Sequence, residues 1–153
     1  MIVVLERVET PGQAEELRKL RNQCREWMTG DTAKITKDAQ RAFYRLQIAP
    51  GKVKVLLLRI GGEAVAYGAL RPGPDGRLWM SCGVAEQARG KGYGTAIVRE
   101  ITRWGHELNP GPVMLEVRQD NWTARRVYAR AGYGFTEAKT RGDHVIEIWE
   151  HRQ

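Results

Sequence analysis

The sequence predicts an α/β fold in which a mixed β-sheet of about seven strands is flanked by about four helices. Apolar runs of strand length alternate with amphipathic stretches of helix length along the chain. Gly61-Gly62 joins two such runs in the manner of a tight antiparallel hairpin. The runs 78–84 and 113–117 are separated by a helix-length stretch, long enough for a right-handed parallel crossover. Antiparallel and parallel pairs together make the predicted sheet mixed.

The first fifty residues predict one strand and two helices. The apolar run 2–8 is typical of a strand, and Thr10 and Pro11 suit the cap and first turn of a helix. The polar stretch 29–37 interrupts that helix, and a second helix ends at Pro50. The apolar stripe of the first helix is Leu17, Leu20, Cys24 and Trp27 or Met28. The inner face of the second helix is Ala39, Phe43 and Leu46.

Three strands follow in antiparallel order. The run 53–60 and its partner 63–70 flank the Gly61-Gly62 turn. A second turn over 72–76, rich in proline and glycine, leads to a buried strand over 78–84.

The last third of the chain predicts helix, strand, helix and a closing hairpin. The first of these helices ends near Asn109, and the apolar run 113–117 reads as a buried strand. Asn121 is a plausible cap for the next helix, which Gly132 ends. The first helix carries Ile97, Ile101, Trp104 and Leu108 inward; the second carries Ala124, Val127 or Tyr128, and Ala131. The closing strands are 133–138 and 144–149, with a turn over 139–143.

Length and composition indicate a single globular domain over 1–153. A chain of 153 residues buries about 70% of its unfolded surface. Apolar residues at 42% and charged residues at 28% argue against disorder and fibrous repeats. No apolar stretch approaches the roughly 20 residues of a membrane span, and 1–5 does not resemble a signal peptide. We therefore expect a cytoplasmic protein, and no membrane partner.

The cysteines and histidines favour structural roles. Cys24 and Cys82 fall at apolar positions, which indicates small buried thiols; a disulfide or a reactive nucleophile is the alternative. His106, His144 and His151 show no metal-ligand spacing with one another or with cysteine. They are predicted to be surface residues, and no metal site is expected.

The net charge of +7 favours encounter with anionic partners. Phosphate-bearing ligands and nucleic acid both qualify. The charges are scattered and no known nucleic-acid-binding pattern occurs, so a nucleic-acid partner is not favoured. A basic surface that is merely solvated is the simplest interpretation.

A glycine-rich loop, 89–94, joins the strand 78–84 to an amphipathic helix. Glycines allow backbone amides to converge at the positive end of a helix, which makes an anion site suited to phosphate. A plain turn is the alternative. The loop does not match a mononucleotide P-loop, because Ala85 stands where its first glycine belongs and Gly92 follows Lys91. The loop departs from the dinucleotide-binding pattern Gly-x-Gly-x-x-Gly at one position, because Thr95 stands where the third glycine belongs.

Two motifs in this half of the chain resemble the GNAT family of N-acetyltransferases. Arg89-x-x-Gly92-x-Gly94, preceded by Val84, resembles the acetyl-CoA signature of that family. The second motif comprises Asn121, Ala124, Tyr128 and Gly132-Tyr133, and Gly134-Phe135 repeats its end two residues later. The resemblance covers residues 53–135 well and implies the GNAT-like mixed-sheet fold.

The resemblance implies a cofactor site built mainly from backbone. The amides of Arg89, Gly90, Lys91, Gly92, Tyr93 and Gly94 would hold the CoA pyrophosphate, and the charges of Arg89 and Lys91 would add to it. Backbone near Val84 would pair with the pantetheine arm. Asn121 would contact the pantetheine or merely cap its helix.

Two side chains are implied as catalytic. Tyr128 corresponds to the tyrosine that protonates the departing CoA sulfur; a packing tyrosine is the alternative. Glu116, in the run Leu-Glu-Val-Arg, resembles the general base of the bacterial ribosomal-protein N-terminal acetyltransferase subgroup. Burial on an apolar strand is expected to raise its pKa. A salt-bridged or outward-facing glutamate is the alternative, since Arg118 lies on the same strand.

These expectations combine into an acetyl-CoA-dependent N-acetyltransferase that acts by direct attack of a primary amine in a ternary complex. The acceptor, a protein or a small molecule, stays open. So does the oligomeric state, monomer or homodimer. The alternatives are a non-catalytic CoA-binding or nucleic-acid-associated GNAT-like module and, more remotely, a nicotinamide-dependent enzyme.

Overall fold

The computed structural model describes residues 2–153, which form one seven-stranded sheet with helices packed on it. The strands are β1 (Val3–Arg7), β2 (Lys54–Ile60), β3 (Glu63–Pro72), β4 (Leu78–Val84), β5 (Val113–Arg118), β6 (Gly134–Arg141) and β7 (His144–His151). The helices are α1 (Pro11–Gln23), α2 (Lys37–Phe43), α3 (Tyr93–Leu108) and α4 (Trp122–Arg130).

The strand order is β1-β2-β3-β4-β5-β7-β6, and within residues 2–153 only the β4–β5 pair is parallel. The predicted mixed α/β sheet is therefore confirmed. Four consecutive antiparallel strands, β1 to β4, are incompatible with a doubly wound sheet. The nicotinamide-dependent alternative loses its structural basis with that result.

Helix α1 begins where the sequence predicts. The Thr10 side chain accepts a hydrogen bond from the Gln13 amide, the Gln13 side chain accepts one from the Thr10 amide, and Pro11 occupies the first turn. The helix ends at Gln23, so the predicted stripe through Cys24 to Trp27 is wrong beyond that point. A short 3₁₀ turn, Arg25–Trp27, follows instead.

The predicted inner face of the second helix is wrong at Leu46, which is 54% exposed. Helix α2 continues as a π-helical turn, Tyr44–Ile48, which has more residues per turn and so rotates the later side chains away from their α-helical directions. Ile48 is buried in place of Leu46. Gln40 is also buried, and its side-chain amide donates to the Ala14 carbonyl at 2.8 Å.

The closing hairpin is longer than predicted. Residues 139–141 belong to β6 and pair with β7, because Gly142 adopts a φ of 60° and allows a tight reversal. The aromatic position after Gly132 is filled by Tyr133, which is buried, whereas Phe135 is exposed.

Helices α1 and α3 lie on opposite faces of the sheet. Gly83 of β4 faces Cys24, just after α1, and its neighbour Cys82 pairs with Gly68 of β3, which faces Ile101 of α3. A Cβ on Gly68 would meet the Ile101 Cβ at 2.9 Å, so glycine permits the close packing of α3 on the sheet. The most deeply buried side chains include Leu17, Leu57, Leu70, Ile97, Ile101 and Leu115.

The parallel ladder between β4 and β5 is short. Within residues 2–153 its register comprises two pairs, Leu78 with Val113 and Trp79 with Met114. Both strands continue beyond these pairs, β4 to Val84 and β5 to Arg118. The middle of the sheet therefore opens toward the carboxyl ends of β4 and β5.

Candidate active site

The loop from β4 to α3 has the predicted strand, glycine turn, helix form. Gly90 and Gly92 adopt left-handed φ values of 78° and 87°. Gly92 is the N-cap of α3, and no side chain caps that end of the helix. The first amides of a helix have no intrahelical acceptor, so those that follow Gly92 are available to an anion. Tyr93 and Gly94, the first residues of α3, are half-buried.

The side chain of Arg89 was expected to add its charge to the phosphate site, but it contacts groups outside the loop. Its Nη2 donates to the Gln23 carbonyl at 3.2 Å, and its Nε donates to the Val84 carbonyl at 3.3 Å. The sulfur of Cys24 lies 3.8 Å from the same Nη2. Arg89 thus binds the end of α1 and the end of β4, while Lys91 is exposed on the loop.

Tyr128 extends from α4 to the β4 side of the opening. It is 7% exposed, and its Oη lies 3.5 Å from the Cys82 Sγ. Burial raises the pKa of Tyr128 well above its ordinary value, and the adjacent Cys82 raises it further. The phenol is therefore protonated at neutral pH. Burial also raises the pKa of Cys82 to about 11, although the hydrogen bond with Tyr128 opposes this shift.

Asn121 caps α4 as predicted. Its Oδ1 accepts a hydrogen bond from the Ala124 amide at 3.2 Å. The capping interpretation is therefore confirmed. Contact with the pantetheine arm stays a prediction.

The carboxylate of Glu116 lies on the β5 side of the opening and is ion-paired. Its Oε2 lies 2.7 Å from the Arg141 Nη2 and 3.1 Å from the Lys139 Nζ, and the Thr29 hydroxyl donates to its Oε1 at 3.4 Å. Burial alone would raise the pKa of Glu116, but Arg141 and Lys139 outweigh it, and the net shift is downward.

The predicted rise in the pKa of Glu116 is therefore wrong. Both of its cationic partners come from β6, which lies beyond β7 in the sheet, and not from Arg118 on the same strand. Arg118 instead pairs with Asp120 and donates to the Glu26 carbonyl at 2.9 Å. The salt-bridged alternative describes Glu116 correctly.

A segment that was not predicted to be part of the site, 23–29, crosses the opening. At its first end the Gln23 Oε1 accepts from the Glu86 amide at 2.8 Å, next to β4. At its other end the Thr29 carbonyl accepts at 2.8 Å from Arg141, the residue that is ion-paired with Glu116 of β5. These contacts join residues more than 60 positions apart, so local sequence carried no signal of them. We call 23–29 the bridging segment.

The thiols and imidazoles differ partly from prediction. Cys24 and Cys82 are free and half-buried. The prediction that all three histidines are surface residues is wrong for His106 and His151. Both are half-buried, and the His106 Nε2 lies 2.8 Å from the His151 Nδ1 because α3 packs beside the end of β7. His144 is exposed.

Residues 2–153 contain neither a cluster suited to a metal ion nor a membrane-spanning helix. No group of three or more His, Cys, Asp or Glu side chains is arranged to hold a metal ion. Among the same residues, no helix has the length and apolar character needed to cross a membrane.

The model of the acetyltransferase (GNAT) family matches residues 14–133 of the sequence. That match spans most of the chain. The protein belongs to the GNAT family. Among curated proteins, an uncharacterized N-acetyltransferase of Bacillus subtilis (strain 168), YobR, is 36% identical over 50 residues. Those residues are 33% of this chain, and the match spans 20% of the length of YobR.

Solved structures that are named as acetyltransferases share the whole fold at low sequence identity. YncA of Salmonella typhimurium, solved with its cofactor acetyl-CoA, superposes with a TM-score of 0.82 at 13% identity, covering 98% of this chain and 93% of that one. A ribosomal-protein-alanine N-acetyltransferase of Brucella melitensis superposes with a TM-score of 0.81 at 16% identity, with 100% of both chains covered. AAC(6′)-Ib in complex with ribostamycin and coenzyme A superposes with a TM-score of 0.79 at 19% identity, covering 100% of this chain and 94% of that one. The predicted GNAT fold is confirmed.

Proposed function

We propose that this GNAT protein is an acetyl-CoA-dependent N-acetyltransferase that transfers the acetyl group to a primary amine by direct attack in a ternary complex. One observation carries the proposal. The uncapped N-terminus of α3, preceded by two left-handed glycines, lies at the end of the loop that leaves β4. The protonated hydroxyl of Tyr128 contacts Cys82 of the same strand. The proposed phosphate-binding end of α3 and the proposed acid on α4 are thus both placed next to β4.

The loop residues fit the cosubstrate. A Cβ built on Gly90 or Gly92 meets no atom within 4 Å, so the loop surface is open, and the α3 amides carry the partial positive charge that a pyrophosphate requires. We assign the pyrophosphate to the backbone of Arg89–Gly94, with Lys91 as the added charge. The backbone near Val84 is assigned to the pantetheine arm. Family membership and a relative solved with acetyl-CoA support this assignment.

The chemistry requires a neutral amine, a polarised thioester carbonyl and a proton for the thiolate. The amine nitrogen forms a bond to the carbonyl carbon, and the carbon–sulfur bond breaks. Tyr128 supplies the proton that the CoA sulfur takes as it leaves, and the proton that the nitrogen sheds as the amide forms restores the phenol through solvent. Its raised pKa keeps that proton in place across the neutral range.

The proposed role of Glu116 as general base meets a physical obstacle. A carboxylate with a lowered pKa and two cationic partners is a weak proton acceptor. Its negative charge suits attraction and orientation of a cationic amine. Removal of the amine proton by Glu116 would first require the acceptor to displace Arg141 or Lys139. We therefore propose Glu116 as an acceptor-binding residue, with the base role as the alternative.

The acceptor is proposed only as a primary amine, on a protein or a small molecule. The Brucella structure is named for a ribosomal protein and AAC(6′)-Ib was solved with an aminoglycoside, so similar folds serve different acceptors. The subgroup of ribosomal-protein enzymes stays a hypothesis on the run around Glu116. The oligomeric state, monomer or homodimer, and a cytoplasmic location stay predictions.

The test is a CoA-release assay with acetyl-CoA against peptides, polyamines, aminoglycosides and free amino acids, with CoA binding measured in parallel by calorimetry. Turnover with one class establishes the enzyme and its acceptor. CoA binding without turnover against the panel favours the alternative of a non-catalytic module, which the charge of +7 would suit as a partner of nucleic acid. Absence of CoA binding refutes both.

A further inference from the structure

Arg89 opens the glycine-rich loop, yet its guanidinium contacts three groups outside the loop: the Gln23 carbonyl, the Val84 carbonyl and the Cys24 sulfur. These groups belong to the end of α1, the end of β4 and the bridging segment. A planar guanidinium with several fixed donors can hold such groups together, whereas an ammonium cannot match the geometry. A cation near the last carbonyls of α1 is also favoured by the helix dipole.

The bridging segment continues from these contacts to the opposite side of the opening. Arg118 of β5 donates to the Glu26 carbonyl at 2.9 Å and stacks on Trp27, its guanidinium carbon 4.9 Å from the ring centroid. Arg141 of β6 donates to the Thr29 carbonyl and pairs with Glu116. The segment is thus held at one end by the loop residue Arg89 and at the other by two arginines around Glu116.

We infer that Arg89 is a positioning residue that links the occupancy of the phosphate loop to the bridging segment beside Glu116. The inference rests on the proposed function, since it requires CoA to bind the backbone of residues 89–94. Gly90 and Gly92 flank Lys91 in left-handed conformations, so a ligand that fixes this backbone also fixes the origin of the Arg89 side chain. When the loop backbone is fixed, the Arg89 guanidinium is fixed with it, and its contacts restrict the conformation of residues 23–29.

Such a link couples the binding of CoA to the binding of the acceptor, and the coupling is reciprocal. If CoA orders the bridging segment, an acceptor that needs this segment in place binds better to the CoA complex, and CoA binds better in the presence of that acceptor by the same factor. Lys91 provides the matched comparison. It is a cation of the same loop, exposed, and assigned to the phosphates.

The experiment is hydrogen–deuterium exchange of peptides spanning 23–29, with and without saturating CoA, in the wild type and in Arg89→Gln, Arg89→Lys and Lys91→Gln. CoA should slow exchange of the segment at least about fivefold in the wild type, the lower end of typical coupling. Both Arg89 variants should lose this protection at saturating CoA. Lys91→Gln should need more CoA and then show the full protection.

Peptides covering Ile97 to Ile101, in the core of α3, report whether each variant is folded. The inference is overturned if CoA leaves exchange of 23–29 unchanged in the wild type, or if either Arg89 variant is protected as the wild type is. Failure of the proposed function gives a different result, because calorimetry then detects no CoA binding in any of the four proteins.

Discussion

The Oη of Tyr128 lies 3.5 Å from the Sγ of Cys82, inside a site where burial disfavours ionisation of both groups. A phenol and a thiol that both keep their protons form a neutral pair. The pair therefore needs no counter-ion, and Tyr128 can hold a transferable proton on the β4 side of the central opening.

Replacement of Tyr128 by phenylalanine should lower kcat for CoA release about 100-fold, the lower end of what a general acid contributes, with little change in the Kd for CoA. The ring and its packing remain, so only the proton donor is lost. The rate of CoA release is measured with an active acceptor by titrating the free thiol of CoA at fixed times, and calorimetry measures the Kd for CoA.

Tyr133→Phe is the matched control for this change. Tyr133 is also buried, its ring centroid lies 6.1 Å from that of Tyr128, and its hydroxyl bonds Thr102 at 2.5 Å. Loss of that bond should cost about 1 kcal/mol of unfolding free energy and spare kcat. Equal rates for wild type and Tyr128→Phe would rule out the acid role.

Glu116→Gln should lower the unfolding free energy by about 1 kcal/mol at pH 7, because both cationic partners of Glu116 are partly exposed and regain water. The folded-state pKa of Glu116 lies below its ordinary value of 4.5. Its stabilising effect is therefore fully present above that value and disappears as the pH falls through the folded pKa.

Urea unfolding of the wild type and Glu116→Gln at pH 7 and at pH 3 measures this dependence. The difference between the two proteins should shrink at the lower pH. Glu137→Gln, which replaces an exposed carboxylate of β6, is the control, and its unfolding free energy should differ little from that of the wild type at either pH. A difference for Glu116→Gln that grows on acidification would contradict the ion-paired assignment.

Gly92→Ala should weaken CoA binding and destabilise the fold by about 1–2 kcal/mol, since an alanine at a φ of 87° is strained although its Cβ meets open space. Relief of the strain would move the amides at the start of α3. Calorimetry with CoA and thermal unfolding follow the two effects. Gly134→Ala, at a position with open space and no positive φ, should leave CoA binding unchanged.

Asn121 allows two roles to be separated by two substitutions. Asn121→Ala should cost about 1 kcal/mol of stability through loss of the cap, whereas Asn121→Asp keeps a capping oxygen and should be nearly neutral. If Asn121 also contacts the pantetheine, the aspartate variant should bind CoA more weakly despite normal stability. An unchanged Kd for Asn121→Asp would leave capping as its role.

Features encoded within a few residues were predictable from the sequence. Thr10, Pro11 and the Gly61-Gly62 turn specify their conformations through side chains or backbone freedom of immediate neighbours. The same holds for the loop at Gly92 and for the cap at Asn121. In each case the decisive interaction spans at most four positions.

Features set by distant segments were not predictable. The pKa of Glu116 depends on Lys139 and Arg141, which β7 separates from it in the sheet. The side chain of Arg89 is directed by the end of α1, 66 positions away. Leu46 is exposed because a π-helical turn changes the phase of α2, and no residue type marks such a turn in advance.

Because the β4–β5 ladder ends early, β4 and β5 each expose an unpaired edge in the middle of the sheet, in addition to the two edges at its outer strands. Within residues 2–153, the backbone donors and acceptors that line these inner edges beyond Trp79 and Met114 have no strand opposite them. An extended ligand arm inserted there would complete the hydrogen bonding as an additional strand does, whatever side chains surround it. Ligand occupancy should therefore raise the melting temperature even when no acetyl group is present to react.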